Sequence, residues 1–131
     1  MSTPRHVFEY AVLRVVPRVE RGEAINAGVL VYCRPLNYLG SRVHLDPLRL
    51  LALDPSADPG AIDRALHAVA DACGPDGARA VAGDDIGKRF RWATAPRSTV
   101  VQPGPVHTGL TNDPAGEVER LFIVLVAPVA G

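Results

Sequence analysis

The stretch HVFEYAVLRVV, residues 6–16, decides the fold because its apolar and aromatic side chains fall on both sides of an extended chain. β-Branched and aromatic residues favour strands, and a strand that is apolar on both faces is usually central in its sheet. Pro17 ends the stretch. We therefore predict that residues 6–16 form the middle strand of a sheet that is covered on both faces.

Two more strands are predicted directly after this one. Residues 24–33, AINAGVLVYC, favour a strand, and residues 38–45 favour another beyond a turn at 34–37. Strict alternation along the second strand would place Asn26 and Gly28 on one face and Ile25, Ala27, Val29 and Val31 on the other. A glycine inside a strand, here Gly28, indicates a bulge or a close backbone approach. Connections this short predict an antiparallel meander.

Three Asp-Pro pairs mark predicted helix starts, because Asp is a favoured N-cap and Pro suits the first helical position. The predicted helices cover residues 47–53, 59–73 and 114–127. The second has a buried stripe of apolar residues at helical spacing: Ile62, Leu66, Val69 and Cys73. The run FIVLV, residues 122–126, leaves a strand as the alternative for the end of the third. Residues 74–87 are predicted as a loop with a helical turn at 78–82.

Residues 98–102 and 106–110 are predicted as two short strands around Pro103-Gly104-Pro105. A Pro-Gly pair suits a type II turn, whose twist fits a tight hairpin badly, so we expect a wider loop or two separate strands. Residues 1–131 are thus predicted to form one α+β domain. Its architecture would be an antiparallel sheet of about five strands with two main helices packed on it.

Composition excludes several classes of function. The chain carries 14 basic and 14 acidic residues, so it has no overall attraction to nucleic acid or to an anionic membrane. Nucleic-acid binding is not expected, because single-strand sites need several stacking aromatics and one Trp is present. No apolar run is long enough to span a bilayer, and the first residues do not resemble a signal peptide, which predicts a cytoplasmic protein. Cys33 and Cys73 are predicted to be buried free thiols.

The sequence contains no compact catalytic or cofactor motif. Phosphate loops, dinucleotide-binding glycine fingerprints, nucleophile elbows and zinc-binding Cys/His pairs are all absent. The four histidines share no ligand spacing, and Asp84-Asp85 has no third acid nearby. We predict no metal and no cofactor, and the pattern identifies no catalytic residue.

One region differs from the rest because residues 86–112 contain no Asp or Glu, although Lys88, Arg89, Arg91 and Arg97 lie there. Arginine forks beside hydroxyl groups are what recognition of carboxylate or phosphate requires. The predicted ligand-binding residues are Asn26, Arg91, Arg97, Ser98, Thr99, Gln102, His107 and Thr108. We expect the cationic and hydroxyl groups of residues 88–108 to share one water-facing recess. The alternative is that these arginines pair with acids elsewhere in the chain, such as Glu9, Glu20 or Glu23.

Two segments resemble the bacterial family known as domain of unknown function 3037. They are YAVLRVVPRVERGEAINAGVLVYC, residues 10–33, and RFRWATAPRSTVVQPGPVHTGLTNDP, residues 89–114. The resemblance implies a small cytosolic bacterial protein with no assigned activity and no known catalytic residues. Members are often encoded beside a kinase resembling the HipA toxin, so the resemblance also implies an accessory role with a HipA-like kinase as partner.

Two functional hypotheses follow. The first is a non-catalytic interaction module that uses the surface of residues 89–110. The second is an enzyme or sensor for a small anionic ligand, in which His107 is the acid/base, Arg97 holds the anion and Asn26 orients it. The second hypothesis requires these three side chains to converge on one concave pocket.

Overall fold

The structure, a computed structural model, describes residues 3–75 and 85–129. It contains five strands: β1 His6–Val15, β2 Ile25–Cys33, β3 Tyr38–Val43, β4 Val101–Pro103 and β5 His107–Thr111. All pairings are antiparallel, and β1 is central, with β2 and then β3 on one side and β4 and β5 on the other. The central first strand and the antiparallel meander are therefore confirmed.

Strands β4 and β5 follow β1 one after the other along the same side. β4 pairs with residues 13–15 of β1 and β5 with residues 6–10. Residues 101–111 thus form one edge that is interrupted between Pro103 and His107. Of the two expected outcomes for this segment, the separate strands are confirmed.

Four helices complete the α+β class, which is confirmed: α1 Pro47–Leu53, α2 Pro59–Ala70, α3 Ile86–Thr94 and α4 Pro114–Leu125. All three predicted Asp-Pro starts are confirmed, because Asp46, Asp58 and Asp113 accept backbone N–H bonds from the first turns of α1, α2 and α4. The last turn of the predicted 59–73 helix is a 3-10 turn, Asp71–Cys73. None of the helices in the described residues is long and apolar enough to cross a membrane.

The strand alternative for residues 122–126 is wrong, because α4 stays helical to Leu125. Val118, Leu121 and Phe122 recur at helical spacing and are buried against the sheet, so packing outweighs the strand propensity of the β-branched residues. The helical turn predicted at 78–82 lies outside the described residues.

The two faces of the sheet are covered unequally. Helices α1, α2 and α3 cover what we call the three-helix face, whose core includes Leu13, Leu30, Leu50, Leu66 and Phe90. Helix α4 covers the one-helix face, whose core includes Phe8, Val29, Val31, Cys33 and Phe122. In β1, odd-numbered side chains such as Leu13 face the three helices and even-numbered ones such as Phe8 face α4.

A bulge in β2 corrects the predicted alternation of that strand. Leu13 pairs with Gly28 but the next residue, Arg14, pairs with Asn26, so Ala27 is the extra residue. Ile25 and Ala27 consequently face the three helices, whereas Val29 and Val31 face α4. The bulge predicted from Gly28 is confirmed, and so is the close approach: a Cβ there would lie 2.5 Å from Cγ1 of Val43.

Helix α3 was not predicted, and its first residues, 86 and 87, fall in the segment predicted as loop. The Asp85 carboxylate accepts the N–H of Lys88 and starts the helix. Ile86, Phe90 and Ala93 recur at helical spacing, with Phe90 and Ala93 fully buried. Gly87 and three cations lie between these apolar residues and hide the period in the sequence. The helix places Gly87, Lys88 and Arg91 at the site described below.

Candidate functional site

The predicted site residues do not form a single recess. Arg91 lines a cleft between α3 and the end of β2. Arg97 and Thr99 line a separate, largely apolar groove of about 490 Å³ beside Trp92 and α2. Gln102 and His107 pair with the even-numbered β1 residues Arg14 and Tyr10, so their side chains belong to the one-helix face.

Arg97 lies three residues after the end of α3, and its side chain folds back onto the last carbonyl groups of that helix. Its Nη1 donates to the carbonyl of Ala93 at 2.9 Å and its Nη2 to that of Trp92 at 2.7 Å. Its Cζ also lies 4.4 Å from the ring centroid of Trp92. A cation at a helix C-terminus offsets the partial negative charge of the last carbonyls. Burial lowers the pKa of Arg97, and most of its donor capacity is used within the chain.

The hydroxyl and amide groups nearby are also bonded locally or lie apart from Arg97. Thr99 donates to the carbonyl of Val101 at 2.9 Å, and Gln102 donates to that of Thr99 at 2.8 Å. His107 stacks on Tyr10 with ring centroids 5.3 Å apart. Ser98 and Thr108 are exposed. These groups shape the loop before β4 and the β5 edge.

Asn26 lies on the opposite side of the sheet from Arg97. Its Nδ2 donates to the carbonyl of Leu125, at the end of α4, at 3.0 Å. Arg97 caps α3, which packs on the three-helix face. The convergence of Asn26, Arg97 and His107 that the enzyme or sensor hypothesis requires is therefore not present, because the sheet separates the first two.

In addition to Arg97, two more of the four cations in the acid-free region have partners inside the protein. Arg91 donates from Nη2 to both carboxylate oxygens of Glu9 at 2.8 Å, as the alternative interpretation foresaw for Glu9. Arg89 is buried at 8% exposure and donates to the carbonyl of Gly74 at 3.1 Å. The prediction of a surface built from all four cations is therefore reduced to the part that Lys88 and Arg91 form.

Three cationic side chains line the cleft at the N-terminus of α3. We call it the cationic cleft; its volume is about 520 Å³, and its lining is Tyr32, Arg34, Asp85, Gly87, Lys88 and Arg91. Arg34 and Lys88 are exposed, and neither forms an ion pair with a carboxylate among the described residues. Two guanidinium groups and an ammonium group therefore surround one opening.

The hydroxyl group of Tyr32 opens into this cleft, whereas most of the residue is buried. Tyr32 is 9% exposed, and its ring packs on Phe90 with centroids 5.3 Å apart, which fixes α3 against β2. No described residue forms a hydrogen bond with its hydroxyl group. A Cβ on Gly87 would lie 2.9 Å from this oxygen, so glycine at that position keeps the hydroxyl accessible.

The carboxylates near the cleft do not neutralise it. Asp85 is engaged at the N-terminus of α3, where its Oδ1 accepts the Lys88 N–H at 3.1 Å and offsets the positive end of the helix dipole. Glu9 is bonded to Arg91. The cations Arg34, Lys88 and Arg91 still outnumber these two acids. The cleft is suited to a small anion or to an anionic group on a larger molecule.

Sequence reasoning found Arg91 in this cleft and missed Tyr32, Arg34 and Gly87 as site residues. Asp85, for which no metal is predicted, is the N-cap of α3. The spacing of Ile86, Phe90 and Ala93 together with Asp85 was a signal for α3 and hence for the position of Lys88. No local pattern brings Tyr32 and Arg34 to this helix, because they come from the end of β2.

The prediction for the two cysteines is confirmed. Cys33 and Cys73 are both free and buried. Burial raises the pKa of Cys73 to about 12, although the charge of Arg89 opposes this rise. In residues 3–75 and 85–129, no three His, Cys, Asp or Glu side chains cluster closely enough to hold a metal ion.

A sequence profile of the family described as protein of unknown function, DUF3037, matches residues 10–126. The chain therefore belongs to this family, as its two terminal segments indicated. No curated protein and no solved structure is significantly similar to it.

Proposed function

We propose that this member of the DUF3037 family is a non-catalytic accessory module that binds an anionic group of a partner in the cationic cleft. The observation that carries the proposal is the hydroxyl of Tyr32. This solvent-accessible hydroxyl group has no hydrogen-bond partner among the described residues, the residue is only 9% exposed, and Arg34 and Lys88 flank the opening that the hydroxyl faces.

The donors around the cleft match the acceptors of a phosphate or carboxylate group. The fork of Arg34 supplies paired N–H donors, Lys88 supplies a compact ammonium group and Tyr32 supplies an O–H. Bonds between charged donors and an anion are shorter and about twice as strong as neutral ones. A phosphate has enough oxygens to use all three donors together, so it is the favoured anionic group.

Arg91 has a secondary role in this proposal. Its bond to Glu9 holds its guanidinium at the rim of the cleft, with Glu9 only 22% exposed at the side chain. The pair orients Arg91 and partly neutralises it. Arg34 and Lys88, which have no such partner among the described residues, supply most of the attraction.

The affinity for inorganic pyrophosphate, measured by titration calorimetry, tests the cleft. The variant Arg34→Gln/Lys88→Gln removes two charges while keeping polar side chains. We expect it to weaken binding at least tenfold, which is about 1.4 kcal/mol. The control Arg5→Gln/Arg64→Gln removes two exposed charges elsewhere and should bind as the wild type does. Equal affinities of all three proteins would overturn the assignment.

The HipA-like kinase implied by the family resemblance is the first partner to test. The chain would be co-expressed with a tagged HipA-like kinase from the same genome. Retention of the wild type and loss of Arg34→Gln/Lys88→Gln is the expected result. If the double variant is retained as well as the wild type, the kinase does not use the cationic cleft.

A further inference from the structure

The backbone groups on the outer side of β5 have no hydrogen-bond partner among residues 3–75 and 85–129. Gly104 donates to the carbonyl of Val12 at 2.7 Å, and Val16 donates to that of Val100 at 2.6 Å, so even-numbered β1 residues direct their backbone groups toward this edge. β1 and β5 keep one register from His6↔Thr111 to Tyr10↔His107. The β5 residues that pair with even-numbered β1 residues therefore direct their N–H and C=O groups toward β1; these are His107, Gly109 and Thr111. The other two residues of β5, Thr108 and Leu110, direct their N–H and C=O groups away from the sheet.

The neighbouring part of the same edge is protected, and β5 is not. In β4, Pro103 pairs with the odd-numbered Leu13 and occupies an outward position, where it offers no N–H. Proline and charged residues on edge strands prevent pairing with other chains. Residues 107–111, HTGLT, contain no proline, Lys, Arg or acid. At the opposite edge, helices contact β3 from both faces, whereas β5 packs mainly against β1.

Two large apolar side chains lie beside this free edge. Val7 and Leu110 are directly paired across β1 and β5 on the three-helix face, and they are 54% and 58% exposed. Paired exposed apolar side chains at an open edge are typical of a contact surface. An added strand would bury Leu110 and satisfy the free backbone groups at the same time.

We propose that β5 of a second copy of this chain adds to this edge in antiparallel orientation, forming a two-fold symmetric dimer with a continuous sheet. The sequence of β5 is self-complementary in this arrangement. With the axis at Gly109, Thr108 lies opposite the partner's Leu110 and Leu110 opposite the partner's Thr108. These two outward pairs form roughly four backbone hydrogen bonds. Gly109 lies on the two-fold axis and has no side chain and no charge. The two copies therefore bring no like charges and no side chains together at the axis.

Sedimentation analysis over a range of concentrations tests the dimer. Leu110→Pro removes the outward N–H without removing a bond to β1, and Leu110→Lys places two like charges near the axis. Both variants should weaken dimerisation at least tenfold. Leu48→Lys adds the same charge at a position on α1 that is 80% exposed and should leave the dimer unchanged. Circular dichroism establishes whether each variant is folded. If Leu110→Pro is unfolded, Leu110→Lys alone tests the dimer.

Disulfide formation tests the register. In Thr108→Cys/Leu110→Cys, residue 108 of one copy faces residue 110 of the other at the separation of a hydrogen-bonded antiparallel pair, about 5.5 Å between Cα atoms, which a disulfide can bridge. The native cysteines are buried and do not compete. A covalent dimer after mild oxidation is expected. A wild type that stays monomeric at high concentration, or a dimer unaffected by either Leu110 variant, would overturn the proposal.

Discussion

Replacing Gly28 with Ala tests the close contact between β2 and β3 beside the bulge. The added Cβ would lie 2.5 Å from Cγ1 of Val43 and 3.1 Å from the carbonyl oxygen of Arg42. Val43 is β-branched and stiff, and the carbonyl belongs to the paired strand β3, so neither atom moves freely. Overpacking of this kind costs about 1–3 kcal/mol. Lower entropy of the unfolded chain returns about 0.4–1 kcal/mol. The free energy of unfolding should fall by about 1–2 kcal/mol.

A second substitution separates this clash from other effects of Ala. Val43→Ala removes the Cγ1 that lies closest, but the Val43 Cβ at 3.3 Å and the carbonyl at 3.1 Å remain. The double variant should therefore recover part of the loss, with a coupling of about 1 kcal/mol. Urea unfolding followed by far-ultraviolet circular dichroism measures all four proteins. If Gly28→Ala is as stable as the wild type, or if the two costs simply add, the close contact at the bulge is absent.

Three further predictions concern stability and reactivity. Leu66→Ala, at a fully buried position, should lower the free energy of unfolding by about 3 kcal/mol in urea, whereas the control Leu48→Ala should change it by less than about 0.5 kcal/mol. Hydrogen bonds from Ser56 and the charge of Arg18 lower the pKa of Asp54. The contribution of this carboxylate to stability is therefore present at neutral pH and is lost as the pH falls below the ordinary range of a carboxyl group. In that range, the free energy of unfolding of Ser56→Ala, measured by acid unfolding, should depend less on pH than that of the wild type. Cys73, with its pKa raised to about 12 by burial, should not react with a thiol reagent at mildly alkaline pH until urea unfolds the protein, and rapid labelling of the native state would contradict its burial.

Much of the fold could be predicted because local signals agree with tertiary structure. The stretch from His6 to Val16 is apolar on both sides, and the structure covers both sides of β1. Three of the four Asp-Pro pairs mark helix starts, and the side chains of Asp46, Asp58 and Asp113 make the expected bonds. In these cases the residue type and the local backbone geometry determine each other.

The bulge and α3 could not be found in this way for different reasons. Which face Val29 occupies depends on Ala27 being the extra residue opposite β1, and that is a property of the pairing. In α3 the period of Ile86, Phe90 and Ala93 is present but shorter than the windows in which helical spacing is convincing. The charges between these residues were interpreted as part of a binding surface.

The candidate site could be predicted only in part. A deficit of acid was visible along residues 86–112, but it did not show that Arg97 would cap its own helix or that Arg89 would be buried. Nor did the deficit of acid show that Tyr32 in β2 and Arg34 directly after β2 would lie beside Lys88. The contact between Tyr32 and Phe90 brings them together, and such long-range packing leaves no local pattern.

The most direct test of the cationic cleft is a map of amide shifts in ¹H–¹⁵N spectra as inorganic phosphate is added. The account predicts that the largest changes fall at Gly87 and Lys88, with further changes at Arg34, and that Arg34→Gln/Lys88→Gln abolishes them. Changes centred on Trp92 and Arg97 instead, or none above those that an equal ionic strength of chloride produces, would contradict it.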